Sequence, residues 1–147
     1  MHYCFLNKKE MLYITRKENF NAAHRLYNEN WSDEKNIKVF GKCSNKNWHG
    51  HNYELYVTIK GNVDAETGFV MDMKILSNII KRHVISFLDH TNLSLDVSFL
   101  KDVNPTAENL VMKIWEQLDE PIKKYNSELH RIKLYETNNN IVEYYGE

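Results

Sequence analysis

Residues 40–61, FGKCSNKNWHGHNYELYVTIKG, change along their length from an irregular polar run into a regular strand. From residue 52 onward apolar and polar side chains alternate, which is the pattern of a strand with one face against a core. The apolar positions are Tyr53, Leu55, Val57 and Ile59, and the opposite face carries Glu54, Tyr56, Thr58 and Lys60. Gly61-Asn62 is a turn-forming pair, so a strand is predicted over residues 52–60.

Two histidines stand at the entrance of this strand. His49 and His51 are two residues apart, so their imidazoles point the same way from Cα atoms about 6.5–7 Å apart. His24 ends an alternating stretch, residues 12–24, that is also predicted to be a strand. If the two strands pair as an antiparallel hairpin, His24 meets the other two, and three neutral imidazoles form a good zinc-ligand set.

The remaining elements follow from changes of period. Residues 25–48 read as a long polar loop, and Thr106 is predicted to be the N-cap of a second helix. A first helix over residues 73–88 has an apolar stripe made of Leu76, Ile79, Ile80, Val84, Phe87 and Leu88. Strands are predicted at 129–137 and 141–145, around Asn138-Asn139-Asn140. The order β-β-α-α-β-β predicts an α+β fold, a four-stranded antiparallel sheet with both helices on one face. The other face needs cover, which favours an oligomer.

Length and composition limit the classes of protein. The chain has 147 residues, 42% of them hydrophobic, and a net charge of -1. We expect one domain over residues 1–147, with residues 1–10 as an N-terminal extension. We see no basic tail of the kind that binds nucleic acid, and no apolar run long enough for a membrane span or a signal peptide. We therefore expect a cytoplasmic protein. Of the two cysteines, Cys4 reads as an incidental thiol.

Cys43 has two interpretations. As a fourth ligand it would complete a tetrahedral structural zinc site with the three histidines. Beside an open zinc ion it would instead be a thiolate base or nucleophile, its pKa lowered by the cation. The spacing alone does not separate the two.

Two other carboxylates are of interest. Asp89 precedes His90 in FLDHTNL, where a carboxylate can orient an imidazole, although a histidine also simply suits a helix C-terminus. Glu136 shares a strand face with Ile132 and Leu134, where the pattern favours an apolar side chain. A buried carboxylate needs a partner, either a basic residue or the paired N–H donor edge of a guanine-like or pterin ring.

Six motifs occur in order from about residue 12 to the C-terminus. They are FNAAHRL, FGKCSNKNWHGHNY, GFVMDM, LDHTNL, PTAENL and YETNNNIVEYYGE. With them the chain closely resembles the family of 6-pyruvoyl-tetrahydropterin synthase and the queuosine-pathway 6-carboxy-tetrahydropterin synthase. The resemblance implies a tunnelling (T-) fold whose subunits join sheets into a trimeric barrel, two trimers stacking as a hexamer.

The resemblance also implies the reaction. The family substrate is 7,8-dihydroneopterin triphosphate and the metal is Zn²⁺. A lyase of this family releases triphosphate and forms 6-pyruvoyl-tetrahydropterin, for tetrahydrobiopterin-type biosynthesis. The alternative product is 6-carboxy-tetrahydropterin, formed with loss of acetaldehyde. Outside this chemistry, a non-catalytic zinc- or pterin-binding module is the third possibility.

Residue roles carry over by motif. The zinc ligands match His24, His49 and His51. The catalytic residues match Cys43, Asp89 and His90, and the pterin-anchoring glutamate matches Glu136. Thr106 and Glu108 fall where the family lines its pterin pocket. Arg25 and Lys42 are nearby basic candidates for the triphosphate.

Overall fold

The computed structural model describes residues 10–147. Cys4 and all but Glu10 of the predicted N-terminal extension lie outside the described residues. The described chain forms one sheet of five strands in the order β3-β1-β2-β4-β5, with the helices packed on one face. The sheet is antiparallel except where the short β3 joins β1 in parallel.

The two long strands form the predicted hairpin. β1 spans Met11–His24 and β2 spans His49–Asn62, and they pair antiparallel over their whole length. The register places His24 opposite His49, and Ala22 opposite His51. Because opposite residues share a face, both histidine-bearing ends point to the same side of the sheet.

β2 continues the sheet into the C-terminal hairpin. β4 spans Glu128–Tyr135 and β5 spans Ile141–Tyr144, joined by the predicted turn. Leu55 and Val57 of β2 lie opposite Leu134 and Ile132 of β4. The helix-facing side of these strands is therefore continuous and apolar, and its residues are essentially buried.

Two long helical segments cover that side. The first consists of α2 (Met73–Ile80), a π-helical turn (Lys81–Ile85) and α3 (Ser86–Leu88). The second is α4 (Ala107–Lys123), whose N-cap Thr106 accepts a hydrogen bond from the Asn109 amide, as predicted. The α+β architecture with both helices on one face is confirmed.

Three details differ from the sequence prediction. The segment expected to be a loop contains α1 (Asp33–Phe40) followed by a 3₁₀ turn (Gly41–Ser44). α1 lacked an apolar stripe because its buried residue is Asn36, whose side chain accepts from the Asn28 amide and donates to backbone carbonyls. A polar residue that organises a turn leaves no hydrophobic period to detect.

The second difference is the π-helical turn. The wide turn takes up one extra residue, so Val84 and Leu88 are fully buried, while Phe87, predicted in the stripe, is 46% exposed. The third difference is the number of strands. The sheet has a fifth strand, β3 (Thr91–Asn92), which is too short to give a recognisable pattern in the sequence.

The other face of the sheet is polar. It carries cross-strand contacts such as the Lys17–Glu54 ion pair at 2.9 Å and the Thr15–Thr58 hydrogen bond at 2.8 Å. In the part of the chain that is described, no helix has the length and apolar character needed to cross a bilayer.

Candidate active site

Three imidazoles converge where β1 ends and β2 begins. One ring nitrogen from each of His24, His49 and His51 lies within 4.8 Å of the others, and the Nε2 atoms of His24 and His49 are 3.0 Å apart. Gly50 lies between the two β2 histidines, where a Cβ would meet the Ala22 carbonyl oxygen at 3.3 Å. The hairpin thus assembles the three histidines that the sequence grouped.

The protonation of these rings suits a cation. His24 is 1% exposed, and its Nδ1 donates to the Pro105 carbonyl oxygen at 2.8 Å, which leaves the Nε2 lone pair pointing at the other rings. Burial lowers the pKa of all three imidazoles, so they are neutral near pH 7. A neutral imidazole whose outer N–H is held by a carbonyl is the usual arrangement of a histidine ligand, and His24 has it. The outer Nδ1 of His49 is buried and has no hydrogen-bond partner among the described residues. Three neutral ring nitrogens this close together fit a metal ion.

Cys43 is tied to the chain just after His24 and is not part of the histidine cluster. The thiol is free and half-buried in the 3₁₀ turn, and the Cys43 carbonyl oxygen accepts from the Leu26 amide at 2.8 Å. This bond ties the turn to the chain two residues after His24. Among the described residues, the group of potential ligand atoms within 4.8 Å of one another contains the three histidines and not the sulfur of Cys43.

Glu136 follows the end of β4 and reaches the same cluster. Its Oε1 lies 3.6 Å from His24 Nε2 and 3.9 Å from His51 Nε2, and its side chain is 17% exposed. Asn140 donates a long hydrogen bond of 3.4 Å to the other carboxylate oxygen. The neighbours of this carboxylate are therefore two histidines and an amide, and no lysine or arginine pairs with it among the described residues.

A cleft of about 520 Å³ adjoins Glu136. Its wall is formed by the start of α4, with Thr106 and Glu108, by Leu26, and by the turn before β5. Three residues that the sequence assigned to ring binding are thus brought to one cleft.

Asp89 and His90 lie elsewhere. Asp89 accepts from the Asn21 amide at 2.8 Å, and its other oxygen is 3.0 Å from His90 Nδ1. The Asn21 N–H and His90 lower the pKa of the Asp89 carboxyl. The His90 side chain is 83% exposed, and its backbone has a left-handed φ of 60°. Within residues 10–147 neither side chain bonds to the histidine cluster or to Cys43.

Tyr53 was missed as a site residue. The sequence placed it in the apolar face of β2, but its ring lies 5.6 Å from that of His51 and stacks on Phe20. Burial, together with the nearby Glu136 and Cys43, raises the pKa of the phenol, so the hydroxyl stays protonated. The sequence could have indicated this, since alternate residues of a strand share a face and Tyr53 is two residues after His51 and four after His49.

Fold and site together define a class: an α+β protein in which a β-hairpin carries a three-histidine centre able to hold a metal ion. The family model described as 6-pyruvoyl tetrahydropterin synthase matches residues 13–147. The chain belongs to this family, and its sheet and helices are the T-fold that the motifs implied.

Individual relatives agree with this assignment. The 6-pyruvoyl tetrahydrobiopterin synthase of Pongo abelii is 46% identical over 134 residues, 91% of each chain. A 6-carboxy-5,6,7,8-tetrahydropterin synthase of Rickettsia typhi is 31% identical over 150 residues, 90% of this chain and 99% of the relative. The structure of 6-pyruvoyl tetrahydropterin synthase from Caenorhabditis elegans superposes with a TM-score of 0.87 at 37% identity, covering 94% of this chain and 97% of that one.

Proposed function

We propose that the protein is a zinc-dependent lyase that converts 7,8-dihydroneopterin triphosphate to 6-pyruvoyl-tetrahydropterin and releases triphosphate. The observation that carries this proposal is the histidine cluster, which adjoins both the Cys43 turn and the cleft of Glu136, Thr106 and Glu108. The higher identity to a relative named for the pyruvoyl product, 46% against 31%, favours that product.

His24, His49 and His51 would hold the zinc ion. A zinc ion held by these three residues would supply Lewis-acid chemistry to the hydroxyls of the substrate side chain. The hydrogen bond from His24 to Pro105 orients that ring, and the low pKa values keep protons from competing for the nitrogens.

The pterin ring would occupy the cleft at the start of α4. A carboxylate can accept the paired N–H groups of a pterin ring in a charge-assisted contact. Glu136 and Glu108 are the carboxylates of this cleft. We assign the ring anchor to Glu136, with Glu108 and Thr106 lining the pocket, and the short distance from Glu136 to the histidines keeps the reacting side chain beside them.

Cys43 would act as the base, its thiolate taking a proton from the substrate side chain. Loss of triphosphate and an internal redox rearrangement then give the dicarbonyl side chain without an external oxidant. Asp89 and His90 would move protons on the opposite side of the substrate. Because this pair is exposed and apart from the cluster, its role requires a homo-oligomer, for which we propose a hexamer of two trimers with sites between subunits.

The mass of the product tests the reaction. Incubation of the zinc-loaded protein with 7,8-dihydroneopterin triphosphate should yield 6-pyruvoyl-tetrahydropterin and inorganic triphosphate. A 6-carboxy product with acetaldehyde would replace the pyruvoyl assignment with the alternative activity of the family. Absence of any turnover would leave a zinc- or pterin-binding module.

Cys43→Ala separates an open metal site from a closed one. We expect the variant to keep its zinc and lose turnover by about 10²–10⁴-fold, as for loss of a general base. Cys43→Ser is the matched variant, since it keeps the size of the side chain without a thiolate. Release of zinc by Cys43→Ala would instead make the thiol a fourth ligand.

A further inference from the structure

The turn that carries Cys43 has a second side. The 3₁₀ turn and the chain after His24 enclose a groove of about 560 Å³. Its charged lining residues are Arg25, Lys42, Lys46 and Asp33. Arg25 directly follows His24, and Lys42 directly precedes Cys43, so the groove begins one residue from the proposed metal site and one residue from the proposed base.

Arg25 is held in place by the residues around it. Its Nε donates to the Ser44 carbonyl oxygen at 2.8 Å, and the guanidinium lies 3.8 Å from the centre of the Tyr27 ring. In the described residues its two terminal amino groups have no protein hydrogen-bond acceptor. A planar cation fixed on one edge and one face, with two amino groups free, is preorganised for an oxyanion.

The single carboxylate of the groove already has a partner. The Tyr27 hydroxyl donates to Asp33 at 2.6 Å. Lys42 and Lys46 are exposed, and no ion pair holds either of them among the described residues. Three cations against one occupied carboxylate leave the groove with a net positive charge.

Two other clefts border the site, and their charges are different. The cleft proposed for the ring is lined by Glu108 and Glu136 and by no lysine or arginine. A cleft of about 620 Å³ on another side of Arg25 is lined by the carboxylates Glu29 and Asp102. A highly charged anion is repelled by the two carboxylates that line each of these clefts. The basic groove is therefore the favourable place for it.

We propose that the groove of Arg25, Lys42 and Lys46 binds the polyphosphate group of the substrate. This inference rests on the proposed function, which supplies a triphosphate ester as substrate. The ring then lies on one side of the Leu26–Cys43 backbone contact, and the phosphates lie on the other, basic side. Arg25 also stabilises the negative charge that develops on the phosphate oxygen as the C–O bond breaks and triphosphate leaves.

Titration of the zinc-loaded protein with inorganic triphosphate tests the groove without any turnover. Lys46→Glu should weaken binding by about tenfold or more, and Arg25→Gln by about 10–100-fold, as expected for charge-assisted hydrogen bonds. Lys38→Glu is the matched control, because Lys38 is an exposed lysine of α1 that does not line the groove. It should change binding by less than about twofold.

The outcomes discriminate between the inference and the activity. Equal effects of Lys46→Glu and Lys38→Glu would overturn the groove, since the effect would then be general charge or direct binding to zinc. If Arg25→Gln does not fold, the comparison of Lys46→Glu with Lys38→Glu still tests the groove, because both lysines are exposed. If the protein binds triphosphate in this way but yields no pterin product, the groove proposal stands and the proposed function is wrong.

Discussion

The three histidines and the Asp89–His90 pair lie in contrasting surroundings. His24 ends β1 and His49 begins β2, 25 residues later, yet with His51 they form one cluster in which His24 is the buried member. Asp89 and His90 are neighbours in sequence, but they sit at the sheet edge with His90 83% exposed. Closeness in sequence therefore did not decide which groups share a site.

The contacts explain the contrast. A long antiparallel ladder fixes the register of β1 and β2 residue by residue, so the histidines meet as a consequence of strand pairing. The Asp89–His90 pair is attached by Asn21, whose amide donates to the carboxylate and whose carbonyl accepts from the His90 amide at 2.6 Å. The histidine cluster is therefore complete within one chain, whereas the Asp89–His90 pair is held by Asn21 and faces outward.

Removal of a histidine from the cluster should have the largest effect. His24→Ala deletes one ligand and its hydrogen bond to Pro105, so zinc affinity should fall by at least about 100-fold, since even outer partners of a ligand contribute 10–100-fold. Metal content and competition with a chromophoric chelator measure it. His83→Ala, in the π-helical turn, is the control and should keep its zinc. Full zinc binding by His24→Ala would mean that the cluster is not the metal site.

Asp89→Asn should affect turnover without affecting the metal. Loss of the carboxylate that orients His90 should lower kcat by about 10²–10⁴-fold, as for general acid–base groups, with zinc affinity unchanged. Glu116→Gln on α4 is the control, since that carboxylate pairs only with Lys113 on the surface. Retained turnover in Asp89→Asn would show that the pair is an ordinary helix end.

The pH dependence of zinc binding sharpens the comparison further. If all three imidazoles kept a pKa of 6.5, proton competition would weaken binding about 30-fold from pH 7 to pH 6. Because burial lowers these pKa values, protons compete less for the ring nitrogens in that range, and we expect a loss of affinity clearly smaller than about 30-fold. Chelator competition at the two pH values measures it, and a 30-fold loss would contradict the burial argument.

The smallest effect is expected at the cap of α4. Thr106→Ala removes the side-chain acceptor of the Asn109 amide and should cost about 1 kcal/mol of unfolding free energy. For a chain of this size the midpoint should fall by about 2–4 °C. Thr106→Ser keeps the acceptor and should unfold near the original temperature. An unchanged midpoint in Thr106→Ala would show that the cap is dispensable.

Much of the fold was predictable because its long elements have clear periods. The alternation of β2 predicted a strand over residues 52–60, inside the observed His49–Asn62, and the Thr106 cap predicted the start of α4. Gly61 and Asn62, predicted as a turn, still pair with β1. α1 was missed because its buried residue is polar, and Phe87 was placed on the wrong face because a π-helical turn interrupts the helical period. Local hydrogen bonding, which leaves no hydrophobic pattern, decided both.

The sequence alone determined the set of functional candidates, since histidine spacing, strand parity and the six motifs are properties of the chain itself. Tertiary structure decided how they divide in space. Register brought His24 to His49, and the end of β4 brought Glu136 to the rings. The turn of Cys43 came to line a basic groove, and its backbone bonds to Leu26, which lines the acidic cleft. These contacts join residues far apart in sequence, and only packing determines which of them meet.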